Sequence, residues 1–219
     1  MTVFTKLKWP VQDLSAVSAL QDVLIPGDLL LNGTLLNPDI PDQISFIRAR
    51  MIRSVSLTSI NDLSLTNFII TGLQNGGYVS ETISGPNNNT VYGTKYYDTV
   101  TSVVASTAVS GIQAGTGDAG FLPLLEINSI ANTINYSTSV LLPVGSTINY
   151  SLFQTLDQIN NNFIPFLNQT AQLFPAFGLA NETTSQLANS LLITNFVLLK
   201  VNSSLLPITD TFEFILLQE

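Results

Sequence analysis

Carboxylates carry most of the chemistry open to this chain, because its 219 residues include neither histidine nor cysteine. The commonest general base, the thiolate nucleophile, the disulfide and the Cys and His metal ligands are all missing at once. Three acidic groupings are left: Asp39 with Asp42, Asp210 with Glu213, and Asp98, Asp118 and Glu126 should folding bring them together. Each could hold Ca²⁺ or pass a proton to a substrate, but none has the alternating ligand spacing of a calcium loop. The expectation is therefore no catalytic residue, no metal and no cofactor. Gly115-Thr-Gly-Asp-Ala-Gly120 matches the dinucleotide fingerprint letter for letter. Its surroundings do not: Pro123 stands where a helix should open, and no acidic residue follows about 20 positions later to hold a ribose. A glycine-rich turn between strands accounts for the same letters. Tyr78, Tyr92, Tyr96 and Tyr97 could form a platform on which a sugar stacks, or could be cross-strand packing pairs.

Charge narrows the partners. Only 10% of the residues are charged, the formal net charge is −8, and 45% of the residues are hydrophobic, with a mean hydropathy of +0.35. A soluble domain usually carries about 25% charged residues, so Ser, Thr and Asn must cover this surface, a composition tolerated by a chain packed among neighbours in an assembly. Lys6, Lys8, Arg48, Arg50 and Arg53 supply five of the seven basic residues, and beyond residue 53 only Lys95 and Lys200 follow. A body so acidic repels phosphate, which argues against nucleic acid as a partner. On an alternating strand Arg48 and Arg50 share one face and Arg53 takes the other, as expected of a solvated edge or a salt-bridged partner surface. No run of 18 apolar residues is present for a membrane span and the N-terminus lacks a secretory signal, so neither a membrane nor glycosylation of the seven Asn-x-Ser/Thr sites is expected.

The elements that must position these groups read as strands. Residues 1–43 look like an extended N-terminal arm, broken at Trp9-Pro10, Ile25-Pro26-Gly27, Asn37-Pro38 and Ile40-Pro41, within which Asp13 to Leu24 could be a short capped helix or extended chain. From Ile44 the strands crowd: 44–60, 65–73, 78–84, 90–106 and 121–127, with Asn75-Gly76 as a hairpin turn and Pro86-Asn-Asn-Asn89 as a surface loop. The pentapeptide Thr-Ile-Asn-Tyr-Ser occurs twice, from Thr133 and from Thr147, around Pro143 and Gly145. Period-two alternation in both copies predicts a two-stranded antiparallel ribbon over 133–157. Residues 160–190 carry Phe163, Phe166, Phe174 and Phe177 amid Pro165, Pro175 and Gly178 without a period, as in a long loop. Those rings either enter the domain's own core or fill a neighbour's groove, since each costs about 1.5 to 3 kcal/mol to leave in water. Two apolar runs, 191–202 and 206–217, would complete a sheet. The organisation expected is all-β: the arm over 1–43, an antiparallel β-sandwich over 44–128, and a second sheet region over 129–219 holding the Phe-rich loop.

Four stretches in combination resemble a family of β-rich proteins of tailed bacteriophages and prophages. They are Leu57 to Ser64 ("LTSINDLS"), Phe68 to Gly72 ("FIITG"), Glu81 to Pro86 ("ETISGP") and Thr90 to Ser102 ("TVYGTKYYDTVTS"). The likeness extends upstream to Leu31-Asn-Gly-Thr-Leu35 and more loosely downstream to the "NYS" strands and "NFVLLKVNSS", about two thirds of the chain, while the Phe-rich segment and the long arm depart from it. The resemblance implies a non-enzymatic virion component. The expectation that follows is a capsid decoration or cement protein on the outside of the head, bound to the major capsid protein and to copies of itself as trimers or dimers. The contacts would come from the arm (Lys6, Lys8, Trp9), the basic cluster (Arg48, Arg50, Arg53) and the four Phe residues of the loop. A tail, neck or fibre component is the alternative within the same class, and a carbohydrate-binding module using Tyr92 to Tyr97 the alternative outside it.

Overall fold

Branched and hydroxyl-bearing side chains in alternation favour a pleated backbone, and among the described residues every regular element is a strand. The computed structural model describes residues 3–46, 51–122, 125–126, 135–143, 147–155, 164–172, 181–189, 196–205 and 212–218, with side chains over 8–46, 51–122 and 200–201. In chain order the strands begin β1 (Val3–Trp9), β2 (Ser18–Val23), β3 (Gly27–Asp28), β4 (Ile44–Ser45), β5 (Ile52–Asp62) and β6 (Asn67–Gln74). They continue as β7 (Gly77–Ser84), β8 (Asn87–Tyr92), β9 (Thr99–Ala105), β10 (Val109–Phe121), β11 (Leu125–Glu126) and β12 (Asn135–Pro143). The last are β13 (Thr147–Thr155), β14 (Ile164–Gln172), β15 (Asn181–Asn189), β16 (Phe196–Leu205) and β17 (Phe212–Gln218).

The chain forms two units, one of residues 12–120 and one of residues 1–11 with 121–219. The first is an antiparallel β-sandwich. One layer runs β2-β10-β5-β8; the other runs from β9, which carries β3 and β4, to β6 and β7. Val55 and Leu57 of β5 with Val109, Ile112 and Ala114 of β10 pack with Phe68 and Ile70 of β6 and Val100, Val103 and Ala105 of β9 in a single buried cluster. Each large aliphatic or aromatic side chain so buried contributes about 1.5 to 3 kcal/mol. The β6–β7 hairpin closes over Asn75 and Gly76 at φ of 50° and 75°, the primed turn that Asn-Gly favours because both central residues need positive φ. In the second unit the strand orders are β1-β17-β12-β15 and β14-β13-β16, with β11 on β16.

Several expectations are corrected by this pairing. Residues 12–43 belong to the sandwich unit and are not an arm: Gly27 and Asp28 pair with Ala105 and Val104, and β2 pairs with β10. Of the arm only β1 stands in the other unit, where it pairs with β17 from Val3↔Gln218 to Trp9↔Phe212. The helix possible from Asp13 is absent, because the Asp13 carboxylate accepts the Ser15 N–H at 2.9 Å in a local turn and Ser18 onward joins β10. The second pentapeptide lies in β13 and the described residues of the first, Asn135 to Ser137, lie in β12, but β12 and β13 do not pair with each other: β12 sits between β17 and β15, β13 between β14 and β16. Alternation fixes a strand and one of its faces but not its neighbour. The Phe-rich segment contains β14 and β15, so its described part is sheet instead of loop. Asn87 to Asn89 likewise open β8, with Asn88 at a φ of 50°.

Candidate interaction surface

The sandwich gives structural roles to several of the groups singled out in the sequence. Gly115 to Gly120 is not a turn but lies within β10, at 13 residues the longest of the described strands. Its glycines are there for close approach: a Cβ on Gly115 would lie 2.1 Å from the Asp13 carbonyl oxygen, and one on Gly117 would lie 2.0 Å from Ser54 Oγ. No phosphate is needed to explain them.

Arg53 corrects the expectation of a solvated edge. It shares its parity along β5 with Val55 and Leu57 in a stretch, Arg53 to Leu57, that is buried on both faces, and it is fully enclosed. Its backbone exchanges hydrogen bonds with Tyr97, donating at 3.0 Å and accepting at 2.8 Å, and Nη1 lies 3.8 Å from Met51 Sδ. Burial pulls the guanidinium down to about 9, and the attraction of Asp118 and Asp13 limits the fall, so it stays a cation at neutral pH. The same burial raises the Asp118 carboxyl against its own backbone hydrogen bond and the pull of Arg53. At Asp13 burial is outweighed: hydrogen bonds from Thr34 at 2.6 Å and from Ser15, with Arg53 nearby, hold the carboxyl below its ordinary value.

The other interior acids bond to the chain's own N–H and O–H groups. Glu81 accepts from Thr94 N–H at 2.8 Å, Lys95 N–H at 3.2 Å and the Tyr97 hydroxyl at 3.1 Å. Asp98 accepts the Asn75 N–H at 2.6 Å and so steadies the β6–β7 turn. Asp98 and Asp118 thus serve different elements, and among the described residues no three acids gather as a metal site would require. Tyr97 is buried and cannot join a sugar-stacking platform, whereas Tyr78 and Tyr92 are exposed.

Several large aliphatic side chains of the sandwich are exposed, and four of them fall on one segment. Leu20, Leu24, Ile25 and Leu30 are 66%, 85%, 73% and 60% exposed. They ride on the segment 18–32, which side-chain amides fold back on itself. Leu30 N–H donates to Gln21 Oε1 at 3.0 Å, Gln21 Nε2 donates to the Leu30 carbonyl at 3.1 Å, and Ala19 N–H donates to Asn32 Oδ1 at 2.8 Å. Four large aliphatic groups held in water on an ordered segment are costly unless something covers them. None was among the interface candidates, although the runs Val23-Leu-Ile25 and Leu29-Leu-Leu31 carry more aliphatic side chains than one face of a short strand can bury.

Only some of the expected contact residues are described. Lys8 is exposed and Trp9 is buried. Lys6 lies on β1 and Phe166 on β14, while Arg48, Arg50, Phe163, Phe174 and Phe177 fall outside the described residues. No protein-family model matches the chain, and no curated protein matches it. Among solved structures it is similar to the stem and receptor-binding domain of the spike protein P1 from bacteriophage PM2. The identity is 10% over 99% of this chain and 96% of that one, with a TM-score of 0.24.

Proposed function

We propose that this chain is a non-enzymatic structural protein of a tailed-phage virion, a decoration protein that binds the outside of the head and bridges coat-protein subunits. The observation that carries the reading is the exposure of Leu20, Leu24, Ile25 and Leu30 on one hydrogen-bonded segment of a sandwich whose Glu81 and Asp98 bond to its own backbone and side chains. Side chains so exposed bury apolar area across a seam between neighbours, which is how a clamp gains affinity. The phage-like strand motifs support the class of particle. The net charge of −8 favours an outer position, where exposed carboxylates do not face packaged phosphate.

Removing residues 1–43 would not test the clamp, because residues 12–43 supply β2, β3 and part of the sandwich core. The double substitution Leu24→Asp with Ile25→Asp leaves that core untouched, since both side chains are exposed. Co-sedimentation with phage heads lacking this protein is expected to weaken at least about tenfold, equivalent to about 1.4 kcal/mol. Undiminished binding by a folded variant would remove these side chains from the clamp. A reconstruction placing the chain in the tail would replace the decoration role by a tail or fibre role.

A further inference from the structure

We propose that strand β7 is a self-pairing edge, through which two copies of this chain join their sandwiches into one continuous sheet by antiparallel β7–β7 addition about a two-fold axis at Ser80. The inference concerns the free protein and does not depend on where in a particle it sits.

Strand edges invite pairing, and proteins blunt those that should stay solvated with bulges, short length, lysine or proline. The sandwich unit blunts its others. Strand β2 meets β10 with two shifts of register, and β8 meets β5 with a shift between Ser59 and Asp62 and holds Asn88 in the left-handed region. Strands β3 and β4 are two residues each. Strand β7 lies at the end of its sheet, is eight residues long, keeps register with β6 from Asn67↔Ser84 to Gln74↔Gly77, and contains neither lysine nor proline.

The geometry of the two-residue turn says which groups this edge offers. Gln74 and Gly77 form the closing hydrogen-bonded pair, so Gly77, Val79, Glu81 and Ile83 turn their backbone groups towards β6. Tyr78, Ser80, Thr82 and Ser84 turn theirs away from it, and their side chains are all exposed. Those four side chains are uncharged, which matters in a molecule of net charge −8 that otherwise repels its own copies. The one charge on the strand, Glu81, points inward and is held by Thr94, Lys95 and Tyr97.

Charge excludes one register, and cross-strand pairing favours another. A two-fold at Glu81 would set two carboxylates directly opposite each other, which is destabilising. A two-fold at Ser80 sets Glu81 opposite Val79 of the second copy. It pairs Ser80 with its own equivalent and Tyr78 with Thr82 of the second copy, an aromatic and a β-branched residue, which is a favourable cross-strand combination. A peptide from an unrelated protein could use the same edge, but the two-fold match of uncharged residues favours a second copy.

Charge exchange at the axis tests this on the full chain. Sedimentation equilibrium of the wild type is expected to show a two-chain species, while Ser80→Lys and Ser80→Glu, each opposing its own charge, are expected to associate at least about tenfold more weakly. An equimolar mixture of the two variants is expected to re-form the two-chain species, a rescue that misfolding could not give. A wild type that stays single-chain up to about 1 mM, variants that associate like the wild type, or a mixture that fails to associate would each overturn the proposal. Should either variant not fold, amide exchange in the wild type decides. Concentration-dependent protection of the Ser80 and Thr82 N–H groups supports the pairing, and free exchange at every concentration overturns it. Loss of head binding with dimerisation intact would fault the decoration role alone.

Discussion

The Tyr97 hydroxyl donates to Glu81 Oε1 across 3.1 Å, tying the segment after β8 to the edge strand β7. Burial, and then the negative charge and hydrogen bond of Glu81, push the Tyr97 phenol well above its ordinary value of 10.0. Tyr97→Phe is expected to lower stability by about 1.5 to 3 kcal/mol at neutral pH, the cost of losing a hydrogen bond to a charged group, read from urea unfolding. The sign at high pH follows from the raised value. The contribution is complete below pH 10, where the unfolded tyrosine is still protonated, and is lost as pH rises beyond it. The gap between wild type and variant should therefore narrow above pH 10. A constant gap would mean that the hydroxyl does not couple to Glu81.

Asp13 sets an acid-side dependence of opposite sense. Burial raises its carboxyl, but the bonds from Thr34 and Ser15 prevail and the folded value lies below the ordinary 3.8. Its stabilisation is thus present above pH 3.8 and disappears as pH falls through the lower folded value. Asp13→Asn should flatten that part of the acid unfolding curve, monitored by circular dichroism between about pH 5 and pH 2. An unchanged slope would place the dependence elsewhere.

Two glycines should respond very differently to substitution. Gly115→Ala puts a methyl group 2.1 Å from the Asp13 carbonyl oxygen, a backbone atom that cannot rotate away, and is expected to cost about 3 kcal/mol or more. Gly76 has open space around its absent Cβ and only its φ of 75° to satisfy, so Gly76→Asn should cost less than about 1 kcal/mol. Thermal unfolding of the two variants would show the order, and equal losses would contradict the packing described for β10.

Arg53 and Asp118 should couple. Arg53→Met leaves the half-buried Asp118 carboxylate without its cationic neighbour and is expected to destabilise the sandwich by about 3 kcal/mol at pH 7. Adding Asp118→Asn should recover part of that loss, since the remaining charge is then removed. A double-mutant cycle in urea measures the coupling, and simple additivity would show that the two charges are independent.

How much of this was legible beforehand varied by element. Asn75-Gly76 was readable outright, because a primed turn depends only on its own two residues. The burial of Arg53 was only half legible: its parity with Val55 and Leu57 suited a core face, but β5 is buried on both faces there and its charge drew the expectation towards solvent. Strand β10 was hidden, since glycine, alanine and aspartate carry weak strand signals and the letters of a dinucleotide fingerprint happened to coincide. The exposed aliphatic side chains were overlooked for the converse reason: composition counts Leu24 and Ile25 as core, and only pairing shows that they fall between β2 and β3, where they are exposed.

The linear order of residues determined that this chain would be sheet, acidic, and without histidine or thiol chemistry, because local propensity and residue identity need no partner to take effect. Which strand lies beside which was decided only in three dimensions. Strands β12 and β13 went to separate sheets, residues 12–43 joined the sandwich, and β7 was left at an edge. Strand pairing joins residues far apart in the chain, and the free energy of a pairing depends on every face it covers at once, which no window of sequence contains.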